Sequence, residues 1–593
     1  MAPFRKVLVA NRGEIAIRVF RTLRELGIGT VAVYSEADRD SLHAALAEEA
    51  YLLGPGPRAE SYLHQERIVE TARRAGAEAI HPGYGFLAEN ADFARAVGEA
   101  GLVWIGPPPA AIEAMGSKVE ARELMQRAGV PIIPGTIEPV ESVEEVLRLG
   151  EEHGWPLAIK ASAGGGGKGL KVVRSPEEAE RALASARREG EAYFADATVY
   201  VERFLEDPRH VEVQVLADGH GNVVHLGERD CTIQRRHQKL VEETPSPAVT
   251  PELREQIGAI AVEAARAVGY ESAGTIEGLL DREGNYFFLE MNTRIQVEHT
   301  VTELVTGIDL VREQVLVAAG EPLGLRQEEI RFSGHAIECR VNAEDPANGF
   351  LPAPGTVTAY REPAGPGIRV DSGVREGSEV VGLYDPLVAK LCVWDTDRER
   401  ARRRMLRALE EFEIDGVTTL LGFHRALLEH PCFVAGETCH GIVESAELAG
   451  RAAELARMGA QARVLPALAG RTRERVLPVE LDGRRFDVTL LRPEPPYAEL
   501  ARRRREREAD GSHHASAKEA VVSPMQGTVL AVEVAEGDEV REGQVICVVE
   551  AMKMENEITA HRHGLVTGLS VSAGEPVSTG QVICVVAQEG EGL

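Results

Sequence analysis

The sequence predicts an α/β chain built on a parallel sheet, followed by a small all-β domain. Residues 5–10 form a short β run, which an amphipathic segment from Ile15 to Leu26 and a second strand, "TVAVYS", follow. Such a βαβ unit belongs to a parallel sheet. Helices and strands alternate through 115–330, and a β-rich pattern that occurs twice late in the chain indicates two copies of one small unit.

Size and charge restrict the function classes. The chain has 593 residues, and its 66 Lys plus Arg against 94 Asp plus Glu give a formal net charge of -28. At roughly 100–200 residues per domain, this length predicts three to five folding units. The negative charge, without a long basic stripe, opposes nucleic-acid binding. No apolar stretch reaches the about 18 residues that cross a bilayer, and no signal peptide precedes the first strand, so we expect a cytoplasmic protein without membrane contact.

Two common cofactor patterns are missing from the sequence. The first βα turn, "NRGEIA", lacks the G-x-G-x-x-G of a dinucleotide site, so an NAD-dependent function is disfavoured. The 7 cysteines are scattered and form no C-x-x-C pair. We therefore expect neither a zinc site nor a disulfide framework.

A glycine-rich loop indicates phosphate binding. The segment "IKASAGGGGKGLKVV", residues 159–173, follows a β run and holds four consecutive glycines, whose backbone N–H groups could approach a phosphate without side-chain obstruction. It is not a Walker A motif, because Gly169 stands where Ser or Thr should follow Lys168. A flexible linker is the alternative, but Lys160, at the end of the preceding strand, supplies a cation that favours the phosphate site.

Two glutamates are expected to face each other on a hairpin. "GTIEGLLDREGNYFFLEMN" is typical of two strands around a turn at Glu283 and Gly284, and counting back from that turn places Glu277 opposite Glu290. Period two places Asn292 on the face of Glu290. Opposed carboxylates repel unless a cation joins them, and oxygen ligands suit Mg²⁺. The alternative is an exposed acidic hairpin face.

The next segment, "TRIQVEH", holds an arginine, an amide and a carboxylate at alternate positions, Arg294, Gln296 and Glu298. On an extended segment these three side chains share one face. Taken alone, the triplet is more typical of a surface strand of mixed polarity than of a catalytic site.

The repeated pattern frames an unusual lysine. One copy begins at Gly527 and the other at Gly564, an offset of 37, and "QVICVV" recurs unchanged in both. Two matched units predict a pseudo-twofold flattened barrel. Lys553 falls at a hairpin tip between Met552 and Met554, where an ordinary surface lysine is the alternative. The string "EAMKMEN" resembles the biotin attachment sequence of biotinyl carrier domains. Lipoyl domains share the fold but lack Met-Lys-Met. The resemblance implies that biotin is attached to Lys553.

The earlier motifs together resemble the ATP-grasp fold and, more narrowly, the biotin carboxylases. The landmarks are "ANRGEIAIRV", "HPGYGFLAEN", "KASAGGGGKG", "PRHVEVQV", "ERDCTIQRRHQK", "EMNTRIQVEH" and "GHAIECRVNAEDP", spread over most of residues 4–445. The implied order is a Rossmann-like N-terminal domain (1–114), an ATP-grasp domain (115–330), a C-terminal carboxylase domain (331–446), a linker with a small β-hairpin (447–520) and a biotinyl domain (521–588).

The resemblance also implies the site residues. The ATP contacts would be Lys118, Lys160, Gly166, Gly167, Glu202, Leu205, His210, Gln234 and His237, with Glu202 and Leu205 at the adenine hinge. Mg²⁺ or Mn²⁺ would be held by Glu277, Glu290 and Asn292. Bicarbonate would be held by Arg294, Lys239 and the backbone at Gln296 and Val297.

In the implied reaction ATP activates bicarbonate as carboxyphosphate, with Glu298 as the general base. Carboxyphosphate then separates into CO₂ and phosphate, and the phosphate can take the N1′ proton of biotin. Arg340 would stabilise the ureido enolate of biotin through its rigid donors. A carboxylate beside Arg and Lys stays ionised at neutral pH, as a base requires.

The organisation resembles the α subunit of a bacterial acyl-CoA carboxylase. Nothing in the sequence resembles a carboxyltransferase, so the resemblance implies that carboxybiotin passes to a separate carboxyltransferase β subunit that uses acetyl-CoA or propionyl-CoA, as in fatty acid biosynthesis. A methylcrotonyl-CoA type is the alternative. The region at 446–520 is shorter than the docking domain of many such subunits, and "VELDGRRFDV" is the candidate remnant. Biotin protein ligase is a further implied partner, and a homo-oligomer of the α chain is expected.

Two hypotheses from other classes remain at this point. One is a different ATP-grasp ligase with an accessory β domain, which Arg340 and Lys553 together disfavour. The other is a carrier protein whose catalytic part has decayed. The motif lysines and glutamates from Lys118 to Glu298 are intact, and they disfavour that hypothesis.

Overall fold

The structure is a computed structural model, and it describes residues 2–136, 138–161, 170–194, 198–463, 472–481, 484–493, 520–551 and 554–587. The chain divides into two compact units, Met1–Ala452 and Ala453–Leu593. Among the described helices, none is both long and apolar enough to cross a membrane.

The first unit opens with a parallel sheet, as the βαβ pattern predicts. Its strands lie in the order β3-β2-β1-β4-β5, and Val7, Leu8 and Val9 of the central strand are fully buried. Burial of both faces of a strand is expected where helices cover a parallel sheet. The elements of this region are β1 (Lys6–Val9), α1 (Gly13–Glu25), β2 (Gly29–Ser35), α2 (Leu42–Leu46), β3 (Glu49–Gly54), α3 (Gln65–Ala75), β4 (Ala79–His81), α4 (Ala91–Glu99), β5 (Val103–Trp104) and α5 (Pro109–Gly116).

The next region combines a small antiparallel sheet, in the order β7-β6-β8, with part of a large one. Helix α8 packs on β6 and β7 of the small sheet. Residues 162–169, which contain most of the glycine-rich loop, lie outside the described residues. The elements are α6 (Lys118–Arg127), α7 (Val143–His153), β6 (Leu157–Ala161), β7 (Leu170–Val173), α8 (Ala179–Phe194), β8 (Val199–Arg203), β9 (Arg209–Ala217), β10 (Val223–Arg235), β11 (Gln238–Thr244), α9 (Pro251–Ala267), β12 (Ser272–Leu280), β13 (Tyr286–Asn292), α10 (His299–Thr306) and α11 (Leu310–Ala318).

The large antiparallel sheet crosses the predicted boundary between residues 330 and 331. Its order is β13-β12-β9-β10-β11-β14-β21-β19, and β11 pairs with β14 so that Val241 lies opposite Cys339. The remaining elements of the unit are β14 (His335–Asn342), β15 (Glu344–Asp345), β16 (Leu351–Pro352), β17 (Gly355–Thr356), β18 (Ala359–Arg361), β19 (Ile368–Ser372), β20 (Glu379–Val380), β21 (Leu387–Asp395), α12 (Arg398–Glu411), β22 (Glu413–Asp415), α13 (Leu421–Glu429), α14 (Pro431–Val434) and α15 (Ala446–Arg463), whose last residues belong to the second unit.

The second unit contains an antiparallel ribbon and two small sheets. The ribbon pairs β23 (Thr472–Leu481) with β24 (Arg484–Pro493), as expected for a hairpin at Asp482 and Gly483, two residues that lie outside the described residues. The sheets have the orders β25-β32-β30-β27 and β29-β28-β26-β31. Their strands are β25 (Ala520–Val522), β26 (Gly527–Val532), β27 (Glu539–Val540), β28 (Val545–Ala551), β29 (Met554–Thr559), β30 (Gly564–Thr567), β31 (Pro576–Val577) and β32 (Val582–Ala587).

The repeat in the sequence is also a repeat in the structure. Strands β26, β27 and β28 each begin 37 residues before β30, β31 and β32 (527 and 564, 539 and 576, 545 and 582). Gly527 and Gly564 occupy equivalent places, because a Cβ on either would lie 2.4 or 2.3 Å from the carbonyl oxygen of Glu550 or Ala587. Only glycine permits so close an approach of two backbones.

Candidate active site

Polar side chains of strands β9 to β14 line one cavity of about 960 Å³. Most of the predicted site residues contribute to it: Lys160, His210, Gln234, His237, Lys239, Glu277, Glu290, Asn292, Arg294, Gln296, Val297, Glu298 and Arg340. Glu202 and Leu205 are not among its lining residues. Gly166, Gly167 and Lys553, and the side chain of Lys118, lie outside the described part of the chain.

Glu277 and Glu290 lie directly opposite each other on β12 and β13, as predicted, although the turn is not the predicted one. The loop runs from Asp281 to Asn285, whose backbone groups bond to each other at 3.0 Å, and is longer than two residues. A β-bulge between Glu277 and Gly278 then restores the predicted pairing, because it adds one residue to the register. The expected pairing is therefore correct and the expected two-residue loop is wrong.

The Glu277 carboxylate is buried and accepts several hydrogen bonds. Its Oε1 accepts from Lys239 Nζ at 2.8 Å, Asn292 Nδ2 at 2.7 Å and Gln296 Nε2 at 2.6 Å, and its Oε2 lies 2.9 Å from His210 Nε2. Burial alone would raise its pKa, but Lys239 and His210 hold that pKa well below the ordinary value. Glu277 is therefore ionised, as a metal ligand must be.

Lys239 joins three carboxylates at the centre of the cavity. Its Nζ donates to Glu212, to Glu277 at 2.8 Å and to Glu298 at 2.6 Å. Burial would lower the pKa of the ammonium, but the three carboxylates raise it well above its ordinary value. The lysine thus stays charged and bridges Glu277, a predicted metal ligand, and Glu298, the predicted base.

Glu298 stands immediately before α10 and is held at both oxygens. Oε1 accepts from Lys239, and Oε2 accepts from Arg340 Nη2 at 2.8 Å. Burial opposes ionisation, but these cations and the Arg229 guanidinium lower the pKa of Glu298 below that of a free glutamate. Glu298 is therefore held in its ionised form.

The segment around "TRIQVEH" is not extended, so the predicted shared face does not exist. Strand β13 ends at Asn292, and a bend and a turn lead into α10 at His299. The three side chains still reach the cavity, since the turn redirects them. Arg294 is held by Glu89 Oε2 at 2.9 Å and Asn292 Oδ1 at 2.8 Å, while Gln296 binds Glu277.

At another side of the cavity, Lys160 of β6 donates to Glu202 of β8. Arg122 Nη1 lies 3.3 Å from the other oxygen of Glu202, and Leu205 is buried beyond the end of β8. One of the two predicted hinge residues, Glu202, is thus in contact with a predicted phosphate-binding lysine.

The hairpin of β10 and β11 turns at Arg236 and His237. Both residues have positive φ, 46° and 65°, as in the type I′ turn that usually takes Asn or Gly. Non-glycine residues in this conformation carry strain of order 1–3 kcal/mol each, and such strain concentrates at functional sites. The turn places His237 and the strand residue Gln234 at the cavity.

Four site residues were missed from the sequence: Glu89, Glu212, Arg229 and Lys390. Glu212 and Arg229 are fully buried, and Arg229 Nε donates to Glu212 Oε1 at 2.5 Å. Lys390 is also fully buried and donates to the backbone oxygen of Val297 at 3.0 Å. The alternation of His210, Glu212 and Gln214 within a valine-rich strand was a usable signal, because charged groups are rarely buried without partners.

The expectation about disulfides is wrong at one place. Cys432 and Cys439 form a disulfide with Cα atoms 5.6 Å apart. The two cysteines are 7 positions apart in sequence, so no C-x-x-C pattern shows the pair. The intervening turn folds Cys439 back toward α14. Cys439 and the neighbouring Thr438 line the cavity.

In the second unit, two paired strands flank the predicted biotin site in sequence. Strands β28 and β29 pair up to Ala551 and Met554. The two residues between them, Met552 and Lys553, lie outside the described residues.

Four family models match consecutive parts of the chain. They are the biotin carboxylase N-terminal domain (residues 3–112), the carbamoyl-phosphate synthase L chain ATP-binding domain (117–326), the biotin carboxylase C-terminal domain (338–445) and the biotin-requiring enzyme domain (519–586).

The proteins to which this chain is similar are parts of several different carboxylases. The biotin-dependent acyl-coenzyme A carboxylase alpha3 subunit of Mycobacterium leprae is 47% identical over 566 residues, which cover 94% of each chain. A pyruvate carboxylase subunit of Methanothermobacter thermautotrophicus is 54% identical over 434 residues, 73% of this chain and 88% of that protein. The biotin carboxylase domain dimer of Hydrogenobacter thermophilus 2-oxoglutarate carboxylase, solved with MgADP, ADP and bicarbonate, has a TM-score of 0.69 at 50% identity and covers 74% and 99% of the two chains.

Proposed function

Because this chain belongs to the biotin carboxylase family and carries a biotinyl domain, we propose that it uses ATP and bicarbonate to carboxylate a biotin attached to its own Lys553. We further propose that it is the α subunit of an acyl-CoA carboxylase. The observation that carries the proposal is the position of Lys239 between Glu277 and Glu298, which brings the candidate metal site and the candidate base together.

The cavity suits a nucleotide and a divalent cation. Glu277, Glu290 and Asn292 would hold Mg²⁺ or Mn²⁺, since hard cations prefer carboxylate and amide oxygens. The cation, when bound, neutralises charge on the phosphates of ATP. Lys160 and His210 line the same cavity and supply further donors toward those phosphates.

Arg294, Lys239 and the backbone at Gln296 and Val297 would hold bicarbonate. The ionised Glu298 would take the proton of bicarbonate while a bicarbonate oxygen attacks the γ-phosphorus of ATP and ADP leaves. The same donors would retain the carboxyphosphate until it separates into CO₂ and phosphate. Proton removal by a positioned carboxylate contributes typically 10²–10⁴-fold to such a step.

Arg340 would serve the biotin side of the reaction. Its guanidinium presents fixed donors that can stabilise negative charge on the ureido oxygen of biotin. Arg340 also binds Glu298, so one residue contacts both the base and the acceptor. This shared contact couples the activation of bicarbonate to the arrival of the biotin.

The partner would be a carboxyltransferase β subunit that uses acetyl-CoA or propionyl-CoA. Support comes from the acyl-CoA carboxylase relative, whose likeness extends over 94% of both chains, whereas the pyruvate carboxylase relative covers 73% of this chain. With acetyl-CoA the product would feed fatty acid biosynthesis. A methylcrotonyl-CoA type is the alternative; a relative of that name is 50% identical over 442 residues. A biotin protein ligase would attach the biotin, and a homo-oligomer of the α chain is expected.

The proposal is tested by incubating the biotinylated chain with ATP, Mg²⁺ and labelled bicarbonate. We expect acid-labile label on the parent and none on Lys553→Ala. Addition of a carboxyltransferase β subunit with acetyl-CoA, propionyl-CoA or methylcrotonyl-CoA should then move the label to the accepted thioester. A biotinylated parent that takes up no label would contradict the carboxylase function. If only methylcrotonyl-CoA removes the label, the alternative, a methylcrotonyl-CoA type, would replace the assignment to acetyl-CoA or propionyl-CoA.

A further inference from the structure

Two glutamates face each other beneath Arg340. Glu242 of β11 and Glu338 of β14 are direct cross-strand partners in the antiparallel sheet, and both are fully buried. Side chains of directly opposed residues point to the same face with Cβ atoms about 4.5–5.5 Å apart. Charged carboxylates on two such directly opposed, buried residues would repel each other, since little water screens them.

Each glutamate has hydrogen bonds at one oxygen. Glu242 Oε1 accepts from Arg340 Nε at 2.6 Å, and Glu338 Oε2 accepts from Thr300 Oγ1 and lies 3.3 Å from Cys392 Sγ. Within the described part of the chain, the second oxygens, Glu242 Oε2 and Glu338 Oε1, are buried and have no hydrogen-bond partner. A buried acceptor without a donor costs about 1–3 kcal/mol, and more when charged.

The surrounding cations are shared with other carboxylates. Arg340 also binds Glu298, Lys239 binds the carboxylates described above, and Lys390 Nζ lies 3.1 Å from Glu14. These cations therefore cannot neutralise two further carboxylates. The charged and titratable groups that face the two glutamates are Lys239, Glu298, Arg340, Lys390 and the thiols of Cys231, Cys339 and Cys392.

We propose that Glu242 and Glu338 share one proton at neutral pH and that this proton sets how firmly Glu242 holds Arg340. A proton between the two second oxygens supplies the donor that both lack and removes one negative charge. The two glutamates are then positioning residues, which act on the reaction through Arg340. The inference about Arg340 rests on the proposed function, whereas the shared proton does not.

The electrostatics agree with this geometry. Burial raises the pKa of Glu242 and of Glu338 above that of a free glutamate, and Arg340 and Lys390 offset the effect only in part. Loss of the shared proton would add negative charge beside Arg340. The guanidinium would then be drawn toward Glu242 and away from Glu298 and the biotin, so activity should decline on the alkaline side.

Glu338→Gln tests the shared proton without any activity assay. The glutamine amide is a permanent donor toward Glu242, so the variant mimics the protonated form. A carboxyl whose folded pKa is raised stabilises the fold below its unfolded pKa of about 4.5 and loses that contribution as pH rises through the folded pKa. The difference in Tm between the variant and the parent should therefore grow in favour of the variant between pH 5 and pH 9.

The matched control is Glu228→Gln, another buried glutamate. Both oxygens of Glu228 are bonded, to Arg254 at 2.6 and 2.8 Å. This variant should lower Tm at neutral pH, because it leaves a cation without its anion. A Tm difference for Glu338→Gln that does not change with pH would overturn the shared proton.

Two further outcomes also decide. Glu242→Gln is a second neutral variant. If both single variants were unfolded at every pH, the proposal would be overturned, because a shared proton requires the folded protein to tolerate one neutral side chain in this pair. Bicarbonate-dependent ATP hydrolysis should decline less steeply toward high pH in Glu338→Gln than in the parent. An unchanged decline beside the expected Tm effect would leave the shared proton and overturn its control of Arg340. Absence of this activity in the parent would instead count against the proposed function.

Discussion

Glu298 is held between Arg340 and Lys239, with Arg340 Nη2 2.8 Å from one oxygen and Lys239 Nζ 2.6 Å from the other. Both cations have second partners, Glu242 for Arg340 and Glu277 for Lys239. The candidate base is therefore the central member of a continuous chain of ion pairs that runs from Glu277 to Glu242.

Glu298→Gln should abolish most of the bicarbonate-dependent ATP hydrolysis. The amide keeps the shape of the side chain but cannot accept a proton, so we expect a decrease in kcat of about 10²–10⁴-fold. Biotin attachment should be unaffected. Glu313→Gln, a change at a half-buried glutamate of α11, is the control and should retain activity. A loss smaller than about tenfold in Glu298→Gln would show that another group is the base.

Glu243→Gln should destabilise the first unit in a pH-dependent way. His335 and Arg398 offset the effect of burial and lower the pKa of Glu243 to about 2. A depressed carboxyl pKa stabilises the fold above the unfolded value of about 4.5, and this contribution is lost as pH falls toward 2. The free energy of unfolding of the parent should exceed that of the variant by about 3 kcal/mol at pH 7, a value that follows from about 1.4 kcal/mol per pKa unit. Thermal unfolding between pH 7 and pH 3 measures the difference in stability. An equal difference at pH 7 and at pH 3 would contradict a stabilising role of the ion pairs of Glu243.

Lys390→Met should raise KM for bicarbonate more than KM for ATP. Lys390 donates to the backbone oxygen of Val297, whose peptide we expect at the bicarbonate site, and lies 3.1 Å from Glu14. Loss of this donor frees the peptide to rotate. A purely structural role would lower Tm and change both KM values alike, so an equal change would refute the assignment. Lys390→Arg, which keeps a donor, should recover part of the bicarbonate affinity.

Reduction of the Cys432–Cys439 disulfide should lower the Tm of the first unit by a few degrees. The bond closes a short loop, and the loss of chain entropy in the unfolded state predicts about 2–3 kcal/mol for such a loop. Cys432→Ser should equal the reduced parent and should not respond to reductant. Identical Tm values for the oxidised and reduced parent would show that the bond does not support the fold.

Local sequence patterns predicted the features that depend on period and repetition. The offset of 37 fixed the equivalent strands of the biotinyl domain, and the pairing of Glu277 with Glu290 was correct even though the loop was longer than assumed. Two deviations from the assumed hairpin compensated each other. The longer loop shifted the strand register by one residue, and the bulge at Glu277 and Gly278 shifted it back. Counting along a hairpin cannot detect such a bulge.

Features that depend on burial were not predictable in the same way. Glu212, Arg229 and Lys390 are charged and fully buried. Arg229 binds Glu212 of the neighbouring strand, and Lys390 binds the backbone oxygen of Val297, 93 residues away in sequence. The shared face expected for Arg294, Gln296 and Glu298 was wrong, because the segment is not extended. A turn, which has no marker such as Gly or Pro, begins before α10.

The most direct test of the account is a single turnover of the biotinylated chain, with phosphate release and carboxyl label counted on the same sample. We expect one phosphate to be released for each carboxyl group that becomes bound to the chain. Both should be absent in Glu298→Gln, and the label alone should be absent in Lys553→Ala. Release of phosphate without any label on a fully biotinylated parent would contradict the claim that this chain carboxylates its own biotin.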